Sequence, residues 1–232
     1  MTGDERSVVI FPGAGSFGGE FRALGDVFGA RCTVVRYPGR TGRDAGKPPD
    51  SFDAVVASCT EQITGLPGTR PVLFGHSYGA YVAYATALVL AGSGVEVDAL
   101  VVAGASAPDL LRVPPGATDS PEAAAAYLAA VDPGQWAATA PEWREVVAET
   151  VQQDLALLAG FTPSAPPARV PCPVLAVRGA EDPLADDASV GQWRRFTRTE
   201  CVQRTFAGGH SGLLASTELT GWLRAELGVG AG

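Results

Sequence analysis

The chain has 232 residues, 46% hydrophobic and 18% charged, a composition that one folded core can bury without a second domain. The formal net charge is −8 and no Lys/Arg-rich stretch is present, which argues against nucleic acid as a partner, because phosphate binding needs a clustered basic surface. No apolar run approaches the roughly 20 residues of a membrane span, and Met1 to Arg6 lead straight into Val8-Val9-Ile10-Phe11 without the pattern of a signal peptide. The expectation is therefore a cytoplasmic protein with no membrane partner.

In chain order, short β-branched runs alternate with longer amphipathic stretches, the pattern of an α/β fold with helices on both faces of a mostly parallel sheet. A strand is predicted at Ser7–Phe11, ended by Pro12-Gly13-Ala14-Gly15, then a helix through Phe21, Leu24 and Phe28 and a strand at Cys32–Arg36. Arg40 to Pro49 reads as loop. Ser51 is placed to cap a helix whose apolar face is Phe52, Val55, Val56, Cys59 and Ile63. Strand Pro71–Phe74, helix Ala80–Leu90 and strand Val97–Ala103 follow. From about Ala105 to Ala168 the rhythm breaks: nine of the 18 prolines fall here, with helical patches near Glu122–Ala130 and Trp143–Leu158. This stretch reads as a helical lid inserted into one domain spanning 1–232. Alternation resumes with strand Val174–Arg178, a helix around Val190–Phe196, strand Cys201–Phe206 and a terminal helix Leu213–Leu227.

Gly75-His76-Ser77-Tyr78-Gly79 lies between a buried strand and a helix, the context of the nucleophile elbow of the α/β-hydrolase fold. A serine hydroxyl is protonated at neutral pH and needs a base within reach. Of the two histidines, His76 is adjacent to Ser77 at the end of a strand, where neighbouring side chains point in opposite directions, so His210 in Ala207-Gly208-Gly209-His210-Ser211 is the base by elimination. The acid that fixes its tautomer is expected late in the chain, before the histidine. Asp182 in Gly179-Ala180-Glu181-Asp182-Pro183 is the first candidate and Glu181 its rival. Asp186 and Asp187 are expected to start the next helix, while Asp98 and Asp154 read as solvated or structural carboxylates. For the oxyanion, the backbone N–H of Tyr78 is one predicted donor, and the second comes from the glycine-rich loop, Ala14 before Gly13. That loop lacks the G-x-G-x-x-G spacing of a dinucleotide turn, so no cofactor is expected. The four cysteines, Cys32, Cys59, Cys172 and Cys201, show no metal-ligand spacing and read as small buried hydrophobes, with no metal site.

Several of these elements together resemble the type II thioesterases that accompany polyketide synthases and nonribosomal peptide synthetases. They are Phe11 to Ser16, Tyr37-Pro38-Gly39-Arg40, Leu73 to Ala80, Gly104 to Pro108, Cys172-Pro173-Val174, Gly179 to Pro183, Trp193 and Gly208-Gly209-His210. The resemblance implies hydrolysis of acyl groups from the phosphopantetheine thiol of an acyl or peptidyl carrier protein, with Ser77, Asp182 and His210 as triad and Tyr78 and Ala14 as oxyanion donors. In related domains fused to synthetases the acid often follows the strand after the elbow, where this chain has Ala105, which favours Asp182. A small-molecule carboxylesterase would need the same machinery. A non-catalytic binding protein of the same fold is the third reading. Leu128, Leu155 and Leu158 are candidate acyl-pocket residues, with simple packing as their alternative. Arg40, Arg43 and Lys47, and Arg194, Arg195 and Arg198, are the basic clusters available for an acidic carrier protein.

Overall fold

The structure, a computed structural model, describes residues 7–41, 46–66 and 70–228. Its strands are β1 (Val8–Phe11), β2 (Cys32–Val34), β3 (Val72–His76), β4 (Ala99–Ala103), β5 (Val174–Gly179) and β6 (Cys201–Phe206). Its α-helices are α1 (Arg22–Phe28), α2 (Phe52–Thr64), α3 (Tyr78–Gly92), α4 (Pro121–Val131), α5 (Pro133–Ala138), α6 (Arg144–Ala159), α7 (Asp187–Gly191) and α8 (Thr217–Glu226).

The strands form one sheet in the order β2-β1-β3-β4-β5-β6, and every pairing is parallel. Parallel strands covered on both faces must be apolar on both, which is why β1, β3 and β4 read as unbroken hydrophobic runs and are buried along their whole length. Their side chains still divide by the two-residue period. Val9, Phe11, Leu73 and Val102 pack with α2 and α3, whereas Val8, Ile10, Val72 and Phe74 pack with α1 and α8 on the opposite face.

Local chemistry sets the boundaries. Ser51 caps α2 by accepting from Ala54 N–H at 3.1 Å, and the buried face of that helix is the predicted one. The predicted terminal helix is divided instead into a 3-10 turn, Gly212–Ala215, and α8, because Ser216 is extended and its hydroxyl accepts from Leu219 N–H. The helix predicted around Val190–Phe196 likewise becomes α7 and a 3-10 turn, Gln192–Phe196. Between β4 and β5 stand α4 and α6, as the two helical patches suggested, and also α5, whose start was carried by Asp132-Pro133: the aspartate accepts from Gln135 N–H, and proline occupies the first helical position. A third apolar cluster joins α4 to α6 through Ala124, Leu128, Val147, Val151 and Leu155. No described helix is long and apolar enough to cross a membrane.

Because all strands run the same way, the loops after β1, β3, β4, β5 and β6 emerge at one edge of the sheet.

Candidate active site

The loop after β3 is a one-residue turn into α3, and Ser77 carries it with φ 53° and ψ −121°. It is the only non-glycine with positive φ among the described residues. The turn is possible because its flanks lack side chains. A Cβ on Gly75 would strike the Gly79 carbonyl and the Ala80 backbone, and one on Gly79 would strike the carbonyls of Phe11 and Pro12. Ser77 N–H is tied to Ala103 O at 2.8 Å, so the end of β4 holds the turn. No hydrogen bond to the Ser77 hydroxyl is present among the described residues.

His210 and Asp182 come from the loops after β6 and β5. His210 Nδ1 lies 3.0 Å from each Asp182 carboxylate oxygen, and both side chains are buried. Asp182 is held in turn by Leu184 N–H at 2.9 Å. Glu181, the rival, is exposed. The acidic pair at the next helix is engaged elsewhere: Asp186 caps α7 in a reciprocal capping box with Ser189, and Asp187 pairs with Arg178 at 2.8 Å. These local hydrogen bonds hold both carboxyls below the usual range. Gly104 makes the room: a Cβ there would stand 3.1 Å from Asp182 Oδ2 and 3.3 Å from the His210 ring. The sequence reading gave Gly104 no role of its own.

His76 is buried beneath the pair rather than facing Ser77. Its Nε2 meets the His210 carbonyl oxygen at 2.9 Å, so Nε2 carries the proton, and its ring stands 4.8 Å from that of His210. Burial, with the neighbouring His210 next in weight, pushes its pKa down to about 3. Its Nδ1 has no hydrogen-bond partner among the described residues and faces Gly13, where a Cβ would come within 3.1 Å.

The loop after β1 brings Gly13 and Ala14 beside Ser77. Ser16 N–H turns back to Gly13 O at 3.1 Å, and Gly15 N–H is taken by Asp154 at 2.8 Å, while the N–H groups of Gly13, Ala14 and Tyr78 bond to nothing among the described residues. The Tyr78 side chain goes into the body, edge-on to Tyr37 and Phe52.

An open cleft of about 420 Å³ reaches Ser77 and Asp182 from one side and is walled by Tyr81, Tyr127, Leu155 and Leu158. A second, small cavity of about 30 Å³ also reaches Ser77 and is bordered by Ala14, His210, Leu128 and Leu155. The three predicted leucines therefore border cavities at Ser77, and all three are buried, Leu128 and Leu155 in the cluster of the inserted helices and Leu158 in the cluster with α2 and α3. Those helices hold the site from two directions. Asp132 Oδ2 accepts from Ser211 N–H at 3.1 Å, next to His210, and Gln135 accepts from the Ser211 hydroxyl. Asp154 reaches the loop after β1 together with Arg40. Sequence reasoning missed both contacts; the only signals were Asp154 within the second helical patch and Asp132 just beyond the first.

The cysteines offer no competing nucleophile. Cys59 and Cys172 are buried and Cys32 and Cys201 half-buried, against the expectation that all four are interior, and burial lifts their thiols to about 12, 12, 11 and 11 respectively. Among the described residues no three His, Cys, Asp or Glu side chains are grouped as metal ligands.

Known proteins resemble this chain in sequence and in fold. A probable cadicidin biosynthesis thioesterase of Streptomyces griseus is 26% identical over 211 residues, which are 89% of this chain and 58% of that protein. Thioesterase PikA5 of Streptomyces venezuelae is 31% identical over 186 residues, 76% of this chain and 63% of that one. The chain thus spans about three fifths of these curated relatives. Among solved structures, the type II thioesterase BorB from the borrelidin biosynthetic cluster superposes with a TM-score of 0.82 at 26% identity, covering 96% of this chain and 92% of that one. The family model described as "Alpha/beta hydrolase family" matches residues 8–220, and with the elbow, the parallel sheet and the late histidine this places the chain in the alpha/beta hydrolase family.

Proposed function

We propose that this protein is a type II thioesterase, hydrolysing acyl groups from the phosphopantetheine thiol of acyl or peptidyl carrier proteins in a polyketide or nonribosomal peptide assembly line. The observation that carries the reading is the buried His210–Asp182 pair standing at the same cavities as the strained Ser77. The likeness to named thioesterases supports the substrate class.

In this mechanism Ser77 Oγ attacks the thioester carbonyl carbon while His210 Nε2 takes the hydroxyl proton. Asp182 accepts the Nδ1–H hydrogen bond, keeps Nε2 free as the base and stabilises the imidazolium. The carbonyl oxygen becomes an oxyanion held by the N–H groups of Ala14 and Tyr78. As the tetrahedral centre collapses, the C–S bond breaks and His210 returns the proton to the departing sulfur. Water then attacks the acyl-serine, His210 again takes and returns one proton, and the acid leaves with Ser77 restored. The acyl chain lies along the leucine-lined cleft, under α4 to α6 acting as its lid.

The test compares kcat/KM for one acyl chain on a carrier protein and on a p-nitrophenyl ester, with Ser77→Ala, Asp182→Asn and Glu181→Gln. The expected result is a preference for the carrier thioester, no turnover in Ser77→Ala, a loss of up to about 10⁴-fold in Asp182→Asn and little change in Glu181→Gln. A preference for the oxygen ester would make the protein a small-molecule carboxylesterase. If Ser77→Ala matched the wild type, the catalytic assignment would fall.

A further inference from the structure

We propose that Arg40 and Asp154 are positioning residues for the oxyanion site, and that the Ala14 donor is aimed at the reacting carbonyl only while α6 is seated on the loop after β1. The proposal rests on the serine-hydrolase reading of Ser77 but not on the identity of the acyl carrier.

The argument starts from the planarity of the peptide group: fixing a carbonyl oxygen fixes the direction of the N–H that shares its plane, because the two point oppositely across a trans bond. The plane holding Ala14 N–H contains Gly13 C=O, which is bound by Ser16 N–H at 3.1 Å. Ser16 is itself fixed through its carbonyl, which accepts from Arg40 Nη1 at 2.9 Å. The plane holding Gly13 N–H contains Pro12 C=O, which accepts from the buried Tyr37 hydroxyl at 2.9 Å. The plane after Ala14 contains Gly15 N–H, bound to Asp154 Oδ2 at 2.8 Å. Arg40 Nη2 closes the set by pairing with that same Asp154 oxygen. The three consecutive peptide planes around Ala14 are thus fastened, directly or through Ser16, by Tyr37, Arg40 and Asp154, and the two N–H groups left unbonded are those of Gly13 and Ala14.

The fastening depends on α6. Asp154 lies on that helix and Arg40 lies on the loop after β2, so the ion pair joins the inserted helices to the body. Gly15 is pressed so close to α6 that a Cβ would overlap Val151, one turn before Leu155. Arg40 is further ordered over the rings of Phe17 and Tyr37, at 5.4 and 5.5 Å from their centroids. Both side chains of the pair are more than nine-tenths buried. Burial is the larger influence on the Asp154 carboxyl and pushes its pKa up, with Arg40 and Gly15 N–H opposing it. A buried ion pair is a poor device for stability, since apolar replacements of similar volume are often as stable. Its merit is direction, and the directions set here are those of the peptides around Ala14. The neighbour of Asp154 in sequence, Leu155, borders both cavities at Ser77, so acyl contact and oxyanion geometry meet on adjacent residues of one helix.

The experiment uses the full chain with Asp154→Asn, Arg40→Lys and the double variant, on the carrier thioester and on a p-nitrophenyl ester of the same acyl group. Three quantities are read: kcat and KM, the Ki of an acyl trifluoromethyl ketone, which forms a tetrahedral oxyanion on Ser77, and the Kd of a non-hydrolysable acyl-pantetheine thioether, which does not. Removing one oxyanion donor outright costs about 10²–10³-fold in kcat, so a misaligned donor should cost about 10- to 100-fold. That loss should appear in kcat on both substrates and in the ketone Ki, with KM and the thioether Kd within about threefold, and the double variant should be no worse than the weaker single one. Unchanged kcat in folded variants overturns the proposal. So does an equal loss in thioether binding, which would show the pair to shape the acyl cleft. If Asp154→Asn does not fold, Arg40→Lys, which keeps the charge and loses the second donor, decides by the same ratio of ketone to thioether affinity. A loss on the ester with no carrier preference in any form would leave this inference standing and remove the assembly-line reading.

Discussion

At the scale of single residues, His76 shows how burial sets chemistry. Side chains alternate along a strand, so His76 points away from Ser77, and in the structure its ring meets the His210 carbonyl instead. With a pKa of about 3 in the folded chain against an ordinary 6.5, His76 binds its proton far more readily in the unfolded chain. Between those values the unfolded state holds the extra proton, so stability is complete above pH 6.5 and falls as the pH drops towards 3. The contribution is on the order of 5 kcal/mol over the whole window. Urea denaturation of wild type and His76→Gln from pH 7 to 4 should therefore show a flatter pH dependence in the variant; equal slopes would place the acid sensitivity in other groups. Ser77, His210 and Asp182 were legible because an elbow, a count of two histidines and the order of the loops left few choices. Asp154 was not, since its partners are 114 and 139 residues away in sequence and no local spacing announces them.

At the scale of elements, what the sequence made plain was whatever repeats with a short period or carries a turn signal. The buried strands, the Ser51 cap and the α2 face belong to that kind. The terminal helix predicted over Leu213–Leu227 is interrupted because the Ser216 hydroxyl competes for the backbone and starts a second helix. Helix α5 was overlooked because its six residues give no periodicity, although Asp132-Pro133 is a sound start signal. The inserted helices show why Leu155 resists assignment to packing or lining: it belongs to the apolar cluster of α4 and α6 and borders both cavities. Leu155→Trp should shift the acyl-length profile towards short chains, with kcat/KM falling at least about tenfold for long acyl groups and a melting temperature lower by only a few degrees. An equal loss for all chain lengths with a large drop in melting temperature would mean that packing dominates.

At the scale of the whole molecule, a net charge of −8 opposes an acidic partner, so productive contact must use local positive surface. The first cluster expected for this is weakened, because Arg40 is buried in its ion pair, and Arg43 lies outside the described residues. Arg194 and Arg198 are exposed near the end of the 3-10 turn, and Arg195 is paired with Asp109. Reversing the charge of Arg194 and Arg198 should lower kcat/KM about three- to tenfold on an acyl-carrier protein at 50 mM salt, less at 300 mM, and leave acyl-coenzyme A turnover alone. Identical behaviour of the two substrates would remove these arginines from docking. The site's long sequence separations have a consequence in time. The elbow and the histidine behind it leave the ribosome 134 residues ahead of His210, and at ordinary rates of synthesis that interval is about ten seconds. On the proposed mechanism a growing chain therefore presents the Ser77 nucleophile without its base, and hydrolysis is withheld until the last strand has joined the sheet.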